Sequence, residues 1–434
     1  MKSKYMIIIS FDAVSSKDIE IIQTLPNFKT IIEKGSLIKN VESVYPTLTY
    51  PAHATIVTGK YPKNHGIIDN TLFKAGDFSP NWYWYRKSIK GDTIYDLAQK
   101  KGLKTCSLLW PVTGKSNINY NFPEIFPTKP YHNQVLMSLL SGSPIYEYKL
   151  NNKFGHIRKG ITQPALDDFV LECAKYTIEK YTPELMLIHF TDVDTNRHLN
   201  GYMGKEIKES LYRHDKRLGE IIEALKLKGI YEDTNIVALG DHSSVDVTSF
   251  IRINSVLKEK GFIECNDSNK IYDYDVYCKS LDGSAYIYLN GGNKSTLKTE
   301  VYSFLKCLKE KYDFAIEEVI DKDEISRRGG DIKASFMLEA KKGYYFVDDI
   351  NGEFIEEVNE KDVGKIAHRY KAVHGYFPSK EDYGTFFIGF GKDFKEGVVL
   401  ESGSLINHGP TIGKILGVNL ENTDGKVINE IIRE

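Results

Sequence analysis

Cysteine is scarce in this chain. There are five, Cys106, Cys173, Cys265, Cys278 and Cys307, spread widely over 434 residues with no C-x-x-C pair. That excludes a disulfide frame and a cysteine-rich zinc site, and it points to reduced thiols in a cytoplasm. Long apolar runs are missing too. None approaches the roughly 20 residues that cross a bilayer, so no membrane span is expected. The opening MKSKYMIIISFDA mimics a signal peptide, but its apolar run, residues 5–9, is too short for an h-region and leads into Asp12 with no small-residue cleavage site. A cytoplasmic location is therefore expected. Neither sign of charge dominates. The formal net charge is −2, which gives no global reason to bind an anionic membrane or nucleic acid, and no sequence-specific nucleic-acid recognition is expected. Two phosphate-binding fingerprints are absent as well. Gly114-Lys115-Ser116 resembles the end of a phosphate loop, but the glycine required five positions earlier is Leu109, and no G-x-G-x-x-G occurs.

What is present is an ordinary globular mixture, 41% hydrophobic and 27% charged, long enough for a large core and more than one lobe. The continuous apolar run at 6–11 and the segment 185–190 read as strands of the type buried on both faces, and strands are also read at 104–109, 235–239 and 384–389. Helices are expected at about 16–23, 26–34, 92–101, 163–180 and 209–227. The last carries Leu211, Leu218, Ile221, Ile222 and Leu225 on one stripe. Strands alternating with helices imply an α/β fold with a mostly parallel sheet. After Arg252 the texture changes. Strands near 284–289, 335–338 and 344–348 and a helix at 295–311 suggest an inserted, smaller α+β cap lobe. The expected division is a catalytic core over 1–252, the lobe over 253–366, and a return to the core over 367–434, which closes on a helix starting at Pro410. The aromatic run Trp82, Tyr83, Trp84 and Tyr85 is read as a strand packed on the core or lobe, with a ligand-slot wall as the other reading.

One stretch stands apart, YPTLTYPAHATIVTGKYPKNHGIIDN over 45–70. Pro51 suits the first position of a helix, where its missing N–H costs nothing, and Gly59 can end that helix. Thr49 then sits at a helix N-terminus, where unpaired N–H groups and the helix dipole favour an anion. From this stretch alone Thr49 either caps the helix or serves as a nucleophile toward phosphate.

Placement decides between these readings. Parallel sheets bind ligands beyond the carboxyl ends of their strands. Asp12, Asp194 and the pair Asp241-His242 all follow buried strands, and His374 falls in a loop just before one. Asp12, Thr49, Asp241 and His242 offer three oxygens and a nitrogen; Asp194, His198 and His374 offer one oxygen and two nitrogens. Zinc takes such sets, and two adjacent sites form a clamp for in-line phosphoryl displacement. The carboxylate-rich set also suits manganese. His53, His65, His189 and His408 are expected to pack or to support loops rather than to bind metal.

The blocks ISFDAV, PTLTYPAHATIVTGKYPKNHGIIDN, WPVTG, DVDTNRH, NIVALGDHSS, HGY and GPTIGKILGV together resemble the type I phosphodiesterase/nucleotide pyrophosphatase family of the alkaline phosphatase superfamily. The resemblance implies an alkaline-phosphatase-like doubly wound core with helices on both faces. It implies two zinc ions, one held by Asp12, Thr49, Asp241 and His242 and the other by Asp194, His198 and His374. Thr49 would be the nucleophile, passing through a phosphothreonine intermediate. Asn70 would bind a non-bridging phosphate oxygen, and Tyr50 occupies the family's base-stacking position. The expected substrate is a small phosphoester such as a nucleotide. A phosphomonoesterase or a phosphonoacetate-type C–P hydrolase on the same metals is the alternative reading, and a metal-bearing module without turnover is a further one. Two departures stand out: Ala52 where the family usually has asparagine, and Asn196-Arg197 before His198. Arg197 is expected to place a positive charge beside the metals and to alter substrate preference.

Overall fold

The computed structural model describes residues 3–290 and 294–433. Its centre is an eight-stranded sheet formed by β1 (Tyr5–Phe11), β2 (Ser36–Glu42), β3 (Thr105–Leu108), β4 (Tyr120–Phe122), β5 (Leu185–Phe190), β6 (Thr234–Leu239), β7 (Thr385–Phe390) and β8 (Val398–Ser404). The order across the sheet is β8-β2-β7-β6-β1-β5-β3-β4. Only β7 runs against its neighbours; every other pairing is parallel. β1 lies in the middle, with Ile7 opposite both Met186 and Ile236.

Successive side chains of a strand point to opposite faces, and both faces of β1 are apolar. Ile7, Ile9 and Phe11 join Phe28, Ile31, Phe169, Leu218 and Ile221 in one buried cluster, beneath the helices Pro26–Glu33, Ala165–Lys180 and Lys205–Lys228. Met6 and Ile8 join Ala52, Ile56, Ile94 and Ile412 in another, beneath Thr49–Thr58, Ile94–Lys100 and His408–Leu416. The sheet is therefore wound on both sides, as the alternating pattern implied.

Two helices start earlier than their prolines suggested. The Thr49–Thr58 helix begins two residues before Pro51, and the His408–Leu416 helix two before Pro410. The first four N–H groups of a helix have no intrahelical partner, so proline at the third position also forfeits no bond. The Lys205–Lys228 helix begins four residues before the expected start; its first turn is mostly charged, but Ile207 is buried one turn before Leu211 and extends the apolar stripe. The aromatic run does not form a strand. Trp82 makes a single bridge to Thr71, while Trp84 is buried with Tyr50, Ala54, Ile67 and Ile125.

Beyond the central sheet, Val276–Ser280, Ser284–Leu289, Phe336–Ala340 and Ile316–Asp321 form an antiparallel four-stranded sheet in that order. A further sheet joins Gly343–Phe346, Val245–Ile251 and Ile355–Glu357. A separate apolar cluster spans these strands, from Val247 and Phe250 to Tyr376 and Tyr383. No described helix is long and apolar enough to cross a membrane.

Candidate active site and metal centre

β1, β5 and β6 end side by side, and the chain carries its acidic residues just past those ends. Asp12 follows β1 and is tied across the edge by its N–H to the Phe190 carbonyl, 2.9 Å. Ala13 adopts a left-handed conformation, φ 58°, which turns its N–H to Asp241 Oδ1 at 3.1 Å. Gly240 makes room for this turn. A Cβ there would lie 2.0 Å from Thr385 Oγ1 and 2.2 Å from the Val14 carbonyl. Asp194 is carried not by a loop but on the first turn of the helix Asp192–Asn200, which puts His198 one turn further on the same face. His374 is delivered by the turn at Gly375, φ 85°, where a Cβ would meet the Leu281 carbonyl at 1.7 Å.

The seven residues expected to hold metal converge. His242 Nε2 lies 3.4 Å from Asp12 Oδ1, 3.3 Å from Asp241 Oδ2 and 3.2 Å from Thr49 Oγ1. His198 Nε2 lies 3.4 Å from Asp194 Oδ2, and His374 Nε2 lies 3.9 Å from Asp194 Oδ1. Two groups have ligand atoms all within 4.8 Å of one another: Asp194, His198 and His374, and Asp12, Asp194 and His242. Asp194 thus belongs to both groups, where spacing alone had assigned it to one.

Each of the three histidines is fixed from behind. Nδ1 of His198 donates to the Ala372 carbonyl at 2.8 Å, Nδ1 of His374 to the Thr47 carbonyl at 3.1 Å, and Nδ1 of His242 to the Ser243 carbonyl at 3.1 Å. All three Nε2 atoms face carboxylate oxygens, and wherever the ring is neutral that nitrogen is a lone pair, a repulsive arrangement that a cation between them relieves. Burial reinforces it. It holds His242 down to about 4 and His374 well below the usual imidazole range, so both rings are neutral. Burial and the neighbouring Asp241 and Asp194 carboxylates push Asp12 well up, and burial pushes Asp241 up to about 7. Asp12 Oδ1, Asp194 Oδ1 and Asp241 Oδ2 are buried without a hydrogen-bond partner. Unpaired buried carboxylate oxygens opposite imidazole lone pairs are the donor set of a divalent cation.

A sequence profile described as type I phosphodiesterase / nucleotide pyrophosphatase matches residues 6–377. The chain belongs to this family. It is 27% identical over 229 residues to human ectonucleotide pyrophosphatase/phosphodiesterase family member 1, covering 50% of this chain and 21% of that one. It is 23% identical over 408 residues to the venom phosphodiesterase of Naja atra, covering 90% of this chain and 41% of that one. The chain thus spans less than half the length of these curated relatives. Solved structures of ectonucleotide pyrophosphatase/phosphodiesterase 5 share its fold. The murine protein, as an inactive variant in complex with AMP, superposes with a TM-score of 0.66 at 18% identity over 98% of this chain and 97% of that chain. The human protein gives 0.67 at 17% over 99% and 100%.

In this family member two cavities meet at the candidate ligand cluster, sharing Thr49, Trp82 and Asp194. The larger, about 1010 Å³, is lined by Asp12, Thr49 and Asp194 at its inner end and by Trp82, Phe122 and Phe126 among its walls. The smaller, about 140 Å³, is lined by Thr49, Asn70, His198 and His374 together with Lys279, Asp282 and Asp348. Asn70 Oδ1 accepts the N–H of Tyr50 at 2.9 Å, which assigns the amide orientation and leaves Nδ2 as a donor. Lys279 pairs with Asp348 at 2.9 Å and lies 3.7 Å from Asp69.

Two expected placements are corrected by the geometry. Tyr50 is fully buried, with its ring 5.1 Å from that of Trp82 and its hydroxyl donating to the Glu124 carbonyl. It lines neither cavity, so it has no free face for a base. Trp82 borders both cavities. Arg197 does not extend into the site. It is fully buried, binds both carboxylate oxygens of Asp18 at 2.8 Å, and donates to the carbonyls of Ala13 and Tyr202. A guanidinium at 0% exposure needs such a partner, and Asp18 supplies it.

Some supporting residues were read as plain core. His189 lies 3.2 Å from Asp12 Oδ2, and His53 donates Nδ1–H to the Thr49 carbonyl at 2.8 Å, 3.5 Å from Asp241 Oδ2. Their sequence signal was only a histidine inside an apolar segment. Glu124, pushed up to about 7 by burial, lines the large cavity beside Asp12; nothing in its local sequence marked it.

Proposed function

We propose that the chain is a two-metal phosphodiesterase/nucleotide pyrophosphatase with Thr49 as its nucleophile. The observation that carries this reading is Thr49 Oγ1 at the first helical position, 3.2 Å from His242 Nε2, beside two ligand groups that share Asp194. Asp12, Asp241 and His242, with Thr49, would hold one ion; Asp194, His198 and His374 would hold the other. The oxygen-rich set with imidazole favours zinc and admits manganese. Bound there, such ions supply Lewis acidity toward the threonine oxygen and the departing oxygen.

The chain's own groups do the rest. The Tyr50 N–H is taken by Asn70 Oδ1 and Pro51 has none, so the helix end would contribute its dipole and the Thr49 N–H where negative charge develops, while Asn70 Nδ2 donates to a non-bridging phosphate oxygen. Thr49 Oγ would attack phosphorus as the P–O bond to the leaving alcohol breaks, the threonine proton passing by way of solvent to that leaving oxygen. The resulting phosphothreonine ester, still carrying the nucleoside of a nucleotide substrate, is cleaved when water attacks phosphorus and Thr49 Oγ departs and regains a proton. Two cavities flanking one nucleophile favour a diester, whose phosphorus carries an organic group on each side. A monoester or phosphonoacetate would leave the large cavity without a role. Trp82 is the ring we place against a nucleoside or another flat apolar group.

We also propose the division into core (1–252 and 367–434) and cap lobe (253–366). The strand Val245–Ile251 pairs with Gly343–Phe346, which supports a lobe that begins a few residues earlier than Arg252 suggests. Five free thiols support a reducing compartment such as the cytoplasm. The test is a panel on enzyme of measured metal content: a nitrophenyl ester of thymidine monophosphate, p-nitrophenyl phosphate and phosphonoacetate. The nitrophenyl diester should lead. Preference for the monoester or the phosphonate would overturn the diesterase reading.

A further inference from the structure

We propose that the segment 131–161 docks the protein on an anionic phospholipid surface, with the mouth of the large cavity at that surface. Two helices, Gln134–Leu139 and Pro144–Phe154, pack against each other after β4. These helices and the turns flanking the first carry the densest run of exposed large apolar side chains among the described residues: Tyr131 at 81%, Leu136 at 56%, Leu140 at 65%, Ile145 at 75% and Tyr148 at 67%, with Val135 beside them. Leu136 and its C-cap residue Leu140 are four residues apart, the spacing that places side chains together on a helical surface, and Tyr131 lies in the turn just before the same helix. Exposed large apolar side chains gathered on one short segment, where those elsewhere on the surface are scattered, mark a site of association.

Charge selects the occupant. Lys149, Lys153 and Lys159 are exposed in the same segment and form no ion pair among the described residues. The segment's single acidic residue, Glu147, is buried and accepts a hydrogen bond from Ser138 Oγ at 2.6 Å. A face with aromatic and aliphatic tips, unpaired lysines and no exposed acid complements a layer that is apolar beneath and negative on top. The whole chain carries a formal charge of only −2, so the attraction is local to this face. The position ties the patch to the site. Gln134, Ser138, Asn151, His156 and Ile161 of the same segment line the large cavity whose inner end holds Thr49 and Asp12. A molecule leaving the bilayer beneath this face would reach the cavity without crossing bulk water.

The test is co-sedimentation of the full chain with phosphatidylcholine vesicles, with and without phosphatidylglycerol. Hydrolysis of a soluble nitrophenyl diester and light-scattering mass are measured in parallel. The wild type should bind the anionic vesicles, bind pure phosphatidylcholine less, and release with added salt. Leu136→Glu with Leu140→Glu, or Ile145→Glu with Tyr148→Glu, should lower vesicle affinity by at least about tenfold while soluble-substrate turnover and monomer mass stay unchanged. Lys149→Glu with Lys153→Glu, which keeps the apolar face, should lower binding to the anionic vesicles alone. Three results would overturn the proposal: no sedimentation of the wild type with either vesicle, full binding by the Glu pairs, or a wild-type dimer that these pairs dissociate, which would make a second copy the occupant.

Discussion

Replacing Arg197 with methionine separates two readings of that residue. In the structure its guanidinium lies 2.8 Å from both oxygens of Asp18, donates to two backbone carbonyls and rests over the Tyr202 ring at 4.2 Å. Both partners are fully buried. Arg197→Met leaves Asp18 buried with only the Ser15 donors, and breaking a buried pair from one side costs about 3–5 kcal/mol. Asp18→Leu in the same protein removes the stranded carboxylate, so the double variant should recover part of that loss. The effect also reaches the site. Arg197 grips the Ala13 carbonyl, and the Ala13 N–H orients Asp241 at 3.1 Å. Loss of such an outer contact lowers metal affinity by roughly 10–100-fold. Urea unfolding midpoints for the wild type, both singles and the double variant, with zinc affinity by competition, measure both effects. An unchanged midpoint together with a changed order of substrates would refute this account and restore Arg197 to the substrate pocket.

Further outcomes are expected elsewhere. Asn70→Ala should lower kcat/KM on the nitrophenyl diester by roughly 10²–10³-fold, with far-UV circular dichroism unchanged; a loss below about threefold would remove Asn70 from the phosphate contact. Gly375→Ala forces a Cβ to 1.7 Å from the Leu281 carbonyl, so it should lower stability and metal content together, as read by thermal melting and metal analysis. Burial holds His65, His214 and His408 each near about 3. Because these pKa values are depressed on folding, the folded state binds fewer protons. Stability is full above the unfolded value of about 6.5 and falls below it, by about 1.4 kcal/mol per pH unit for each ring. His408 has neither ring nitrogen satisfied, so His408→Leu should flatten the slope between pH 6.5 and pH 4.5, measured by urea midpoints, and should not destabilise at neutral pH. Chelation should lower the melting temperature, because Asp12, Asp194 and Asp241 lose the charge that balances them.

The centre of the sheet was readable because burial on both faces turns a strand into an unbroken apolar run, as in MIIISF over 6–11. The candidate ligands at 12, 194, 198, 241, 242 and 374 were readable because 12 and 241–242 follow strand ends directly and the helix bearing 194 and 198 starts just past β5, so their placement depends little on loop detail. Arg197 and Tyr50 were misplaced for one reason: local sequence does not say which way a side chain leaves its helix. Their directions are set by Asp18, 179 positions away, and by Trp82 and Ile125. His189 and His53 hid in apolar segments, since a histidine supporting a ligand looks like one filling a core. The sharing of Asp194 between both groups depends on distances that spacing cannot carry.

The most direct measurement is the mass of the 45–70 peptide after rapid acid quench of turnover on a nucleoside monophosphate diester. A nucleotidyl adduct on Thr49, absent from Thr49→Ala enzyme that keeps its metal and does not turn over, is the predicted result. Near-wild-type hydrolysis by Thr49→Ala, with no adduct in either protein, would contradict it.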